Sequence, residues 1–200
     1  MVKALMEKNR IEAFSDGVIA IIITLLVLEI KVPHIEGEIT TAVIWSSLQS
    51  IAPKFLSWGM SFFMVLIMWV NHHRIFNDIK QSNNGLLWLN GMLLFFMSFV
   101  PFPTALIGDY FSSPASVSFF GICLAMMGLS FAGLRYYLVR NPELLKEGIS
   151  IESYKALAGK SLLSPVLYFT GAAVAFASVY VSYVIYLIVP LYFVFFGSKK

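Results

Sequence analysis

Long apolar runs, separated by short polar segments, dominate this 200-residue chain and limit what it can fold into. The hydrocarbon core of a bilayer is about 30 Å thick, so a spanning helix needs roughly 20 mostly apolar residues. Apolar residues make up 58% of the sequence and charged residues only 12%, about half the charged fraction usual in soluble domains. The sequence therefore predicts an all-α, polytopic membrane protein in which residues 1–200 form a single domain of six transmembrane helices.

The boundaries of the six spans follow from hydropathy and from the intervening polar segments. The last two spans share one apolar stretch that is too long for a single helix, and the polar patch 178–182 is the expected break. A charged loop is expected over 140–160. The predicted spans are 13–30, 44–70, 86–107, 117–139, 161–178 and 182–196.

Lysine and arginine are distributed unequally between the two sides of such a bundle. If the N-terminus is inside, twelve of the fourteen lie on the inner side, and only Lys31 and Lys54 lie outside. This is the positive-inside bias of membrane proteins, and it fits an even number of spans. The sequence therefore predicts a multi-pass protein of the plasma membrane with both termini cytoplasmic. No basic stripe alternates with exposed aromatic residues, so no nucleic-acid partner is expected.

Span one carries an acid at the edge of the membrane. An isolated acid at mid-helix costs about 2.5–3.5 kcal/mol, so Asp16 is expected to find a partner or water. Arg10 precedes it by six residues, and His72 and His73 end span two on the same side. An Asp16–His72–Arg10 network is the expected arrangement, and it has three interpretations: a structural latch, a titrating gate or proton relay, and a metal site. The metal site is disfavoured because adjacent histidines cannot both face one site on a regular helix.

One stripe of span one is spaced for contact between copies of the helix. At about 100° per residue, Ile21, Leu25 and Leu28 fall within roughly 60° of one another. Copies of a face with heptad spacing can meet around an axis. Ordinary packing or lipid exposure explains the same pattern. The heptad a and d positions of this stripe are Phe14, Gly17, Ile21, Thr24 and Leu28.

Motifs of other functional classes are absent from the sequence. It contains no HExxH, GxSxG, P-loop or glycine-rich nucleotide fingerprint, so no enzyme activity and no cofactor are expected. Transporters built from inverted repeats often have paired broken helices. Pro53 and the Pro101–Pro103 pair do not form such a match. A proton-coupled secondary transporter using Asp16 and the histidines remains the alternative to a channel.

Span one also resembles a known motif. The segment RIEAFSDGVIAIIITLLVL, which starts at Arg10, resembles the RxxxFSD helix of the transmembrane protein 175 family of potassium channels, in the prokaryotic form with a single six-helix repeat. Segments at the end of span two and in span three also resemble the family. The residues that carry the resemblance are Arg10, Phe14, Ser15, Asp16, Trp69, His72 and Asn90.

The resemblance implies a homotetramer in the lipid bilayer that conducts potassium ions passively. Span one would line a central pore, and an apolar constriction would act as a hydrophobic filter. By position this constriction is Ile21, with Leu25 and Leu28 further along and Thr24 as a hydroxyl layer. Arg10, the FSD residues and His72 would be packing contacts that hold span one, away from the ion path.

Overall fold

Almost all of the chain is helical where the structure describes it. The computed structural model describes the backbone of residues 8–195 and the side chains of residues 8–192. Besides the helices, it contains a short 3-10 turn at Pro142–Leu144 and a bridge between Ile79 and Leu145. The helices are α1 Lys8–Leu28, α2 Thr41–Ser50, α3 Ala52–Asp78, α4 Asn84–Ser98, α5 Pro101–Asp109, α6 Pro114–Arg140, α7 Ile151–Ser161, α8 Leu163–Val174 and α9 Val179–Phe195.

These helices give the multi-pass architecture predicted from hydropathy. Within the described residues, five helical units are long and apolar enough to cross a membrane: α1, α3, α4 with α5, α6, and α7 with α8. The last helix, α9, is apolar but shorter. The predicted end of span six at residue 196 lies outside the described residues, as do Lys3, Lys199 and Lys200.

Prolines divide three apolar segments into pairs of helices. Proline has no N–H, and its ring clashes with the carbonyl four residues earlier, so a helix breaks or bends just before it. Pro53 lies in the first turn of α3, Pro101 begins α5, and Pro165 lies in the first turn of α8. The prediction of one helix over 44–70 was therefore wrong, because α2 ends at Ser50 and α3 begins at Ala52. α2 has no buried residue.

The helix boundaries at the end of the bundle where α3 finishes also differ from the predicted ones. α3 continues to Asp78, because His72, Ile75 and Phe76 are buried on one face and extend its packing surface. The charged segment 140–160 is not all loop, because α7 begins at Ile151 and buries Tyr154 against the bundle. The sequence prediction missed α7 because its charged residues made the segment look like a loop. The break between α8 and α9 was predicted to within a few residues.

Small residues allow α6, α8 and α9 to approach closely. Tyr186 of α9 is fully buried, and its ring lies where Gly121 of α6 and Gly171 of α8 have no side chain. Its hydroxyl donates a hydrogen bond of 3.0 Å to the carbonyl of Val117. Helices in lipid gain stability from such close packing, since lipid tails are as apolar as leucine.

Polar contacts define the two ends of the bundle. At one end, Lys54 of α3 pairs with Asp109 of α5 at 2.5 Å. At the other end, the N–H of Lys80 donates to the carbonyl of Leu144 at 2.9 Å, and the N–H of Lys146 donates to the carbonyl of Asp78 at 2.9 Å. The start of α1 lies at this second end, because Lys8 Nζ donates to the carbonyl of Phe76.

Candidate functional site

The first helix has one buried face and one exposed face. Its buried side chains recur every three or four residues and pack on α3, α4 and α5. The opposite face is exposed, with exposed fractions of 58% for Ile21, 42% for Leu25 and 66% for Leu28. Phe14, Gly17 and Thr24 are exposed as well. The heptad stripe found in the sequence is thus the face of α1 that the rest of the subunit leaves uncovered.

Thr24 is the polar member of this uncovered face. Its hydroxyl donates back to the helix, 2.8 Å from the carbonyl of Ile21 and 3.2 Å from that of Ala20. Threonine commonly makes this backbone bond inside helices. Since the hydroxyl proton is engaged there, the oxygen offers lone pairs rather than a proton to whatever lies outside the helix.

Below this face, a buried chain of hydrogen bonds joins α1 to α4 and α3. Asn90 Nδ2 donates to Ser15 Oγ at 2.8 Å, and Ser15 Oγ donates to the carbonyl of Ile11 at 2.8 Å. Asn90 Oδ1 lies 2.8 Å from His72 Nε2. An amide oxygen only accepts, so His72 carries a proton on Nε2. The side chains of Ser15, His72 and Asn90 are almost fully buried. Their hydrogen bonds connect α1, α3 and α4 at the same depth of the bundle.

Asp16 is bound separately from this buried chain. Its Oδ1 accepts a hydrogen bond of 2.9 Å from Trp69 Nε1 on α3. Among the described residues, no hydrogen bond or ion pair joins Asp16 to His72 or Arg10, so the expected network of these three was wrong. Asp16 and Ser15 are adjacent in sequence but point about 100° apart on the helix, so they contact different neighbours.

Other motif residues are divided between the two faces. Arg10 and Phe14 are exposed on the side of Ile21, so within one subunit they do not hold α1 against the bundle. Glu12, which the sequence did not single out, lies 3.7 Å from His73 and 4.0 Å from Lys8. The i, i+4 spacing of Lys8 and Glu12 could have predicted their contact from the sequence. No cluster of three metal-ligating side chains occurs in the described part of the chain.

A double-mutant cycle on Asp16 and Trp69 tests this second contact. We expect Asp16→Ala to lower stability by about 1 kcal/mol, because a charge-assisted hydrogen bond is lost at an exposed site. Asp16→Asn should lose less, since its amide oxygen can still accept from the indole. Trp69→Phe should make the Asp16 substitutions nearly silent. Thermal unfolding in detergent of wild type, the three single variants and the two double variants measures the coupling, and simple additivity would contradict the contact.

Comparison with known proteins places the chain among channels. Residues 10–101 match the family model described as endosomal/lysosomal potassium channel TMEM175. The chain is 40% identical to a potassium channel of Chamaesiphon minutus, covering 94% of this chain and 93% of that protein. It is 39% identical to a potassium channel of a Chryseobacterium species, covering 93% and 92%.

A solved structure agrees with these sequence matches. The crystal structure of a lysosomal potassium-selective channel TMEM175 homolog from Chamaesiphon minutus superposes with a TM-score of 0.84 at 35% identity. The match covers 96% of this chain and 98% of that one. With the matched motif in α1 and the shared fold of the whole chain, this protein belongs to the TMEM175 family.

Proposed function

We propose that this chain forms a homotetrameric, potassium-preferring cation channel with α1 around a central pore. The observation that carries the proposal is the uncovered apolar stripe of α1, whose opposite face is buried in the subunit. Four copies with this stripe turned inward enclose an axis with rings of Ile21, Leu25 and Leu28. Relatives at 39–40% identity along nearly the whole chain are potassium channels, which favours a channel over the proton-coupled transporter. The family is a class of ion channels, so the protein is not an enzyme.

The constriction is assigned to Ile21. Isoleucine offers no ligand to a cation, so an ion keeps much of its water there, and a narrow apolar ring can close the pore by dewetting. Potassium gives up water more easily than sodium, which favours potassium moderately. Thr24, the next heptad position after Ile21, adds a ring of hydroxyl oxygens whose lone pairs face the pore. Leu25 and Leu28 continue the apolar wall toward the end of α1.

The latch residues have a structural role in this proposal. Ser15, Asn90 and His72 fix the depth and rotation of α1 against α3 and α4. Because a pore ring depends on the rotation of its helix, these bonds determine which side chains face the axis. Among the three interpretations of the polar residues around Asp16 and His72, the geometry supports a structural latch.

Purified protein tests the function directly. We expect a tetramer in mild detergent and, after reconstitution, potassium efflux that exceeds sodium efflux under matched gradients. A monomer with substrate-coupled, saturable transport would contradict the channel. The assay should also be run with a pH gradient alone, since flux driven by protons would favour the transporter.

Labelling tests the proposed topology, in which both termini are cytoplasmic and the protein lies in the plasma membrane. Glu36 and Lys146 are exposed and lie in connections at opposite ends of the bundle. With the buried Cys123 replaced by alanine, Glu36→Cys should react with an impermeant maleimide in intact cells. Lys146→Cys should react only after the cells are opened. Reaction of both from the same side would contradict the three crossings proposed between these two positions.

A further inference from the structure

A second site lies on the far side of α3, away from α1. A cavity of about 90 Å³ opens among α3, α6, α7, α8 and α9 near the end where α3 finishes. A larger groove of about 680 Å³ runs beside it along α3 and α9. The two spaces share Met64, Ile67, Asn71 and Pro190, so they adjoin each other.

The cavity contains positive charge. Arg135 and Lys160 both line it, next to Asn71 and the hydroxyls of Ser161 and Ser164. The Arg135 guanidinium stacks 5.2 Å over the ring of Phe131 and donates a long bond of 3.4 Å to the carbonyl of Leu157. Its Nε is buried without a hydrogen-bond partner, and no carboxylate pairs with Arg135 among the described residues.

A partly buried cation that makes no direct ion pair is costly within a membrane protein. Guanidinium groups there usually pair with a carboxylate, a phosphate or a backbone carbonyl. The planar guanidinium suits a phosphate oxygen pair, and lysine adds a second charge. The arrangement therefore fits an anionic phosphate ligand better than water alone.

The groove fits the apolar part of such a ligand. Its walls are almost entirely apolar, with Phe63, Leu66 and Leu187 beside the shared residues, and Arg74 at its charged end. From Asn71 to Phe63 the helix rises about 12 Å, close to the depth of one leaflet. A cationic cavity at the interface that adjoins an apolar groove below it matches the polarity of a phospholipid headgroup and acyl chain.

We propose that this groove binds an anionic phospholipid of the leaflet at the basic end of the bundle. Its phosphate contacts Arg135 and Lys160, and one acyl chain lies along α3 and α9. The site goes beyond the proposed pore, since none of its residues lies on α1, and it relies only on the membrane location and the proposed orientation. Basic pockets between helices on this side of a membrane are known to hold anionic headgroups.

Native mass spectrometry of the purified oligomer tests the site. The probes are phosphatidylglycerol and phosphatidylcholine with identical acyl chains, added at equal amounts. We expect phosphatidylglycerol to be retained preferentially, and each neutralised cation, in Arg135→Gln or Lys160→Gln, to lower that preference about five-fold. Arg135→Lys should keep part of it. Lys155→Gln, on the same helix as Lys160 but outside the cavity lining, should keep all of it.

A variant that fills the groove distinguishes binding of a lipid from binding of a free anion. Ile67→Trp leaves both cations in place but occupies the apolar space, so it should reduce retention of both lipids. Inorganic phosphate should not replace phosphatidylglycerol at equal concentration. Equal retention of the two lipids, an unchanged preference in Arg135→Gln, or a groove closed by the neighbouring subunit with no retained lipid would overturn the proposal. Potassium flux is a separate measurement, so failure here leaves the channel unaffected.

Discussion

Replacing Ile21 with asparagine is expected to raise the cation current about ten-fold or more and to lower the preference for potassium over sodium. The amide wets the narrowest ring and supplies oxygen ligands, so ions no longer cross a dry apolar step. A ten-fold rise requires the barrier to fall by about 1.4 kcal/mol, which is modest for replacing an apolar ring by a polar one. Planar-bilayer recordings under potassium–sodium biionic conditions measure both quantities.

Three matched variants show whether the effect belongs to the stripe. Val27→Asn adds the same polar group at another exposed position of α1, about 120° from Ile21, and should leave conduction unchanged. Val18→Ala, at a half-buried position, should also leave it unchanged. Thr24→Val removes only the hydroxyl and should alter selectivity in a normally assembled oligomer. If Ile21→Asn matches wild type in both readouts, the pore does not follow this face, and the transporter becomes the leading hypothesis.

Alanine at Gly171 is expected to prevent normal folding, with a loss of stability of at least about 3 kcal/mol. A Cβ there would overlap Cε1 of Tyr186 and lie 3.1 Å and 3.2 Å from two further ring carbons. Tyr186 is fully enclosed and hydrogen-bonded, so the ring has no space to move into. Overpacking of a dense core usually costs about 1–3 kcal/mol, and a ring held on several sides exceeds that range.

A second glycine provides an internal comparison. At Gly121 a Cβ would overlap the hydroxyl oxygen of Tyr186 and lie 2.6 Å from Cζ. Tyr186→Phe should therefore partly rescue Gly121→Ala but not Gly171→Ala, where ring carbons are the obstacle. Gly133→Ala, with no atom within 4 Å of the new Cβ, should fold like wild type. Expression of folded protein and thermal unfolding in detergent measure the series; equal tolerance of all three alanines would contradict this packing.

The family matches and the fold confirm several predictions made from the sequence. The polytopic helical architecture follows from hydropathy, because each span must satisfy its own backbone hydrogen bonds in lipid. Ser15, Trp69, His72 and Asn90 were singled out by resemblance, and the structure places all four in contacts between spans. The sequence did not predict their pairing, since an i, i+1 pair such as Ser15 and Asp16 faces two different neighbours.

Helix ends were predicted less accurately where polar residues take part in packing. The segment before Lys160 looked like a loop because its charges dominate the hydropathy, yet Tyr154 and Ala158 bury one face of α7. The cavity beside Arg135 was also invisible in the sequence, because its lining comes from α3, α6, α7, α8 and α9, which lie far apart along the chain.

The amino-acid sequence by itself determined the number of apolar segments, the charge asymmetry between their ends and the heptad stripe of α1. These properties are local, and they depend on composition and on spacing within one helix. Only the tertiary structure decided which face of α1 is covered, that Trp69 rather than His72 binds Asp16, and where Tyr186 fits. The hydrogen bonds involved join residues 53 to 75 positions apart, and side-chain reach and rotation set them only once the helices are packed.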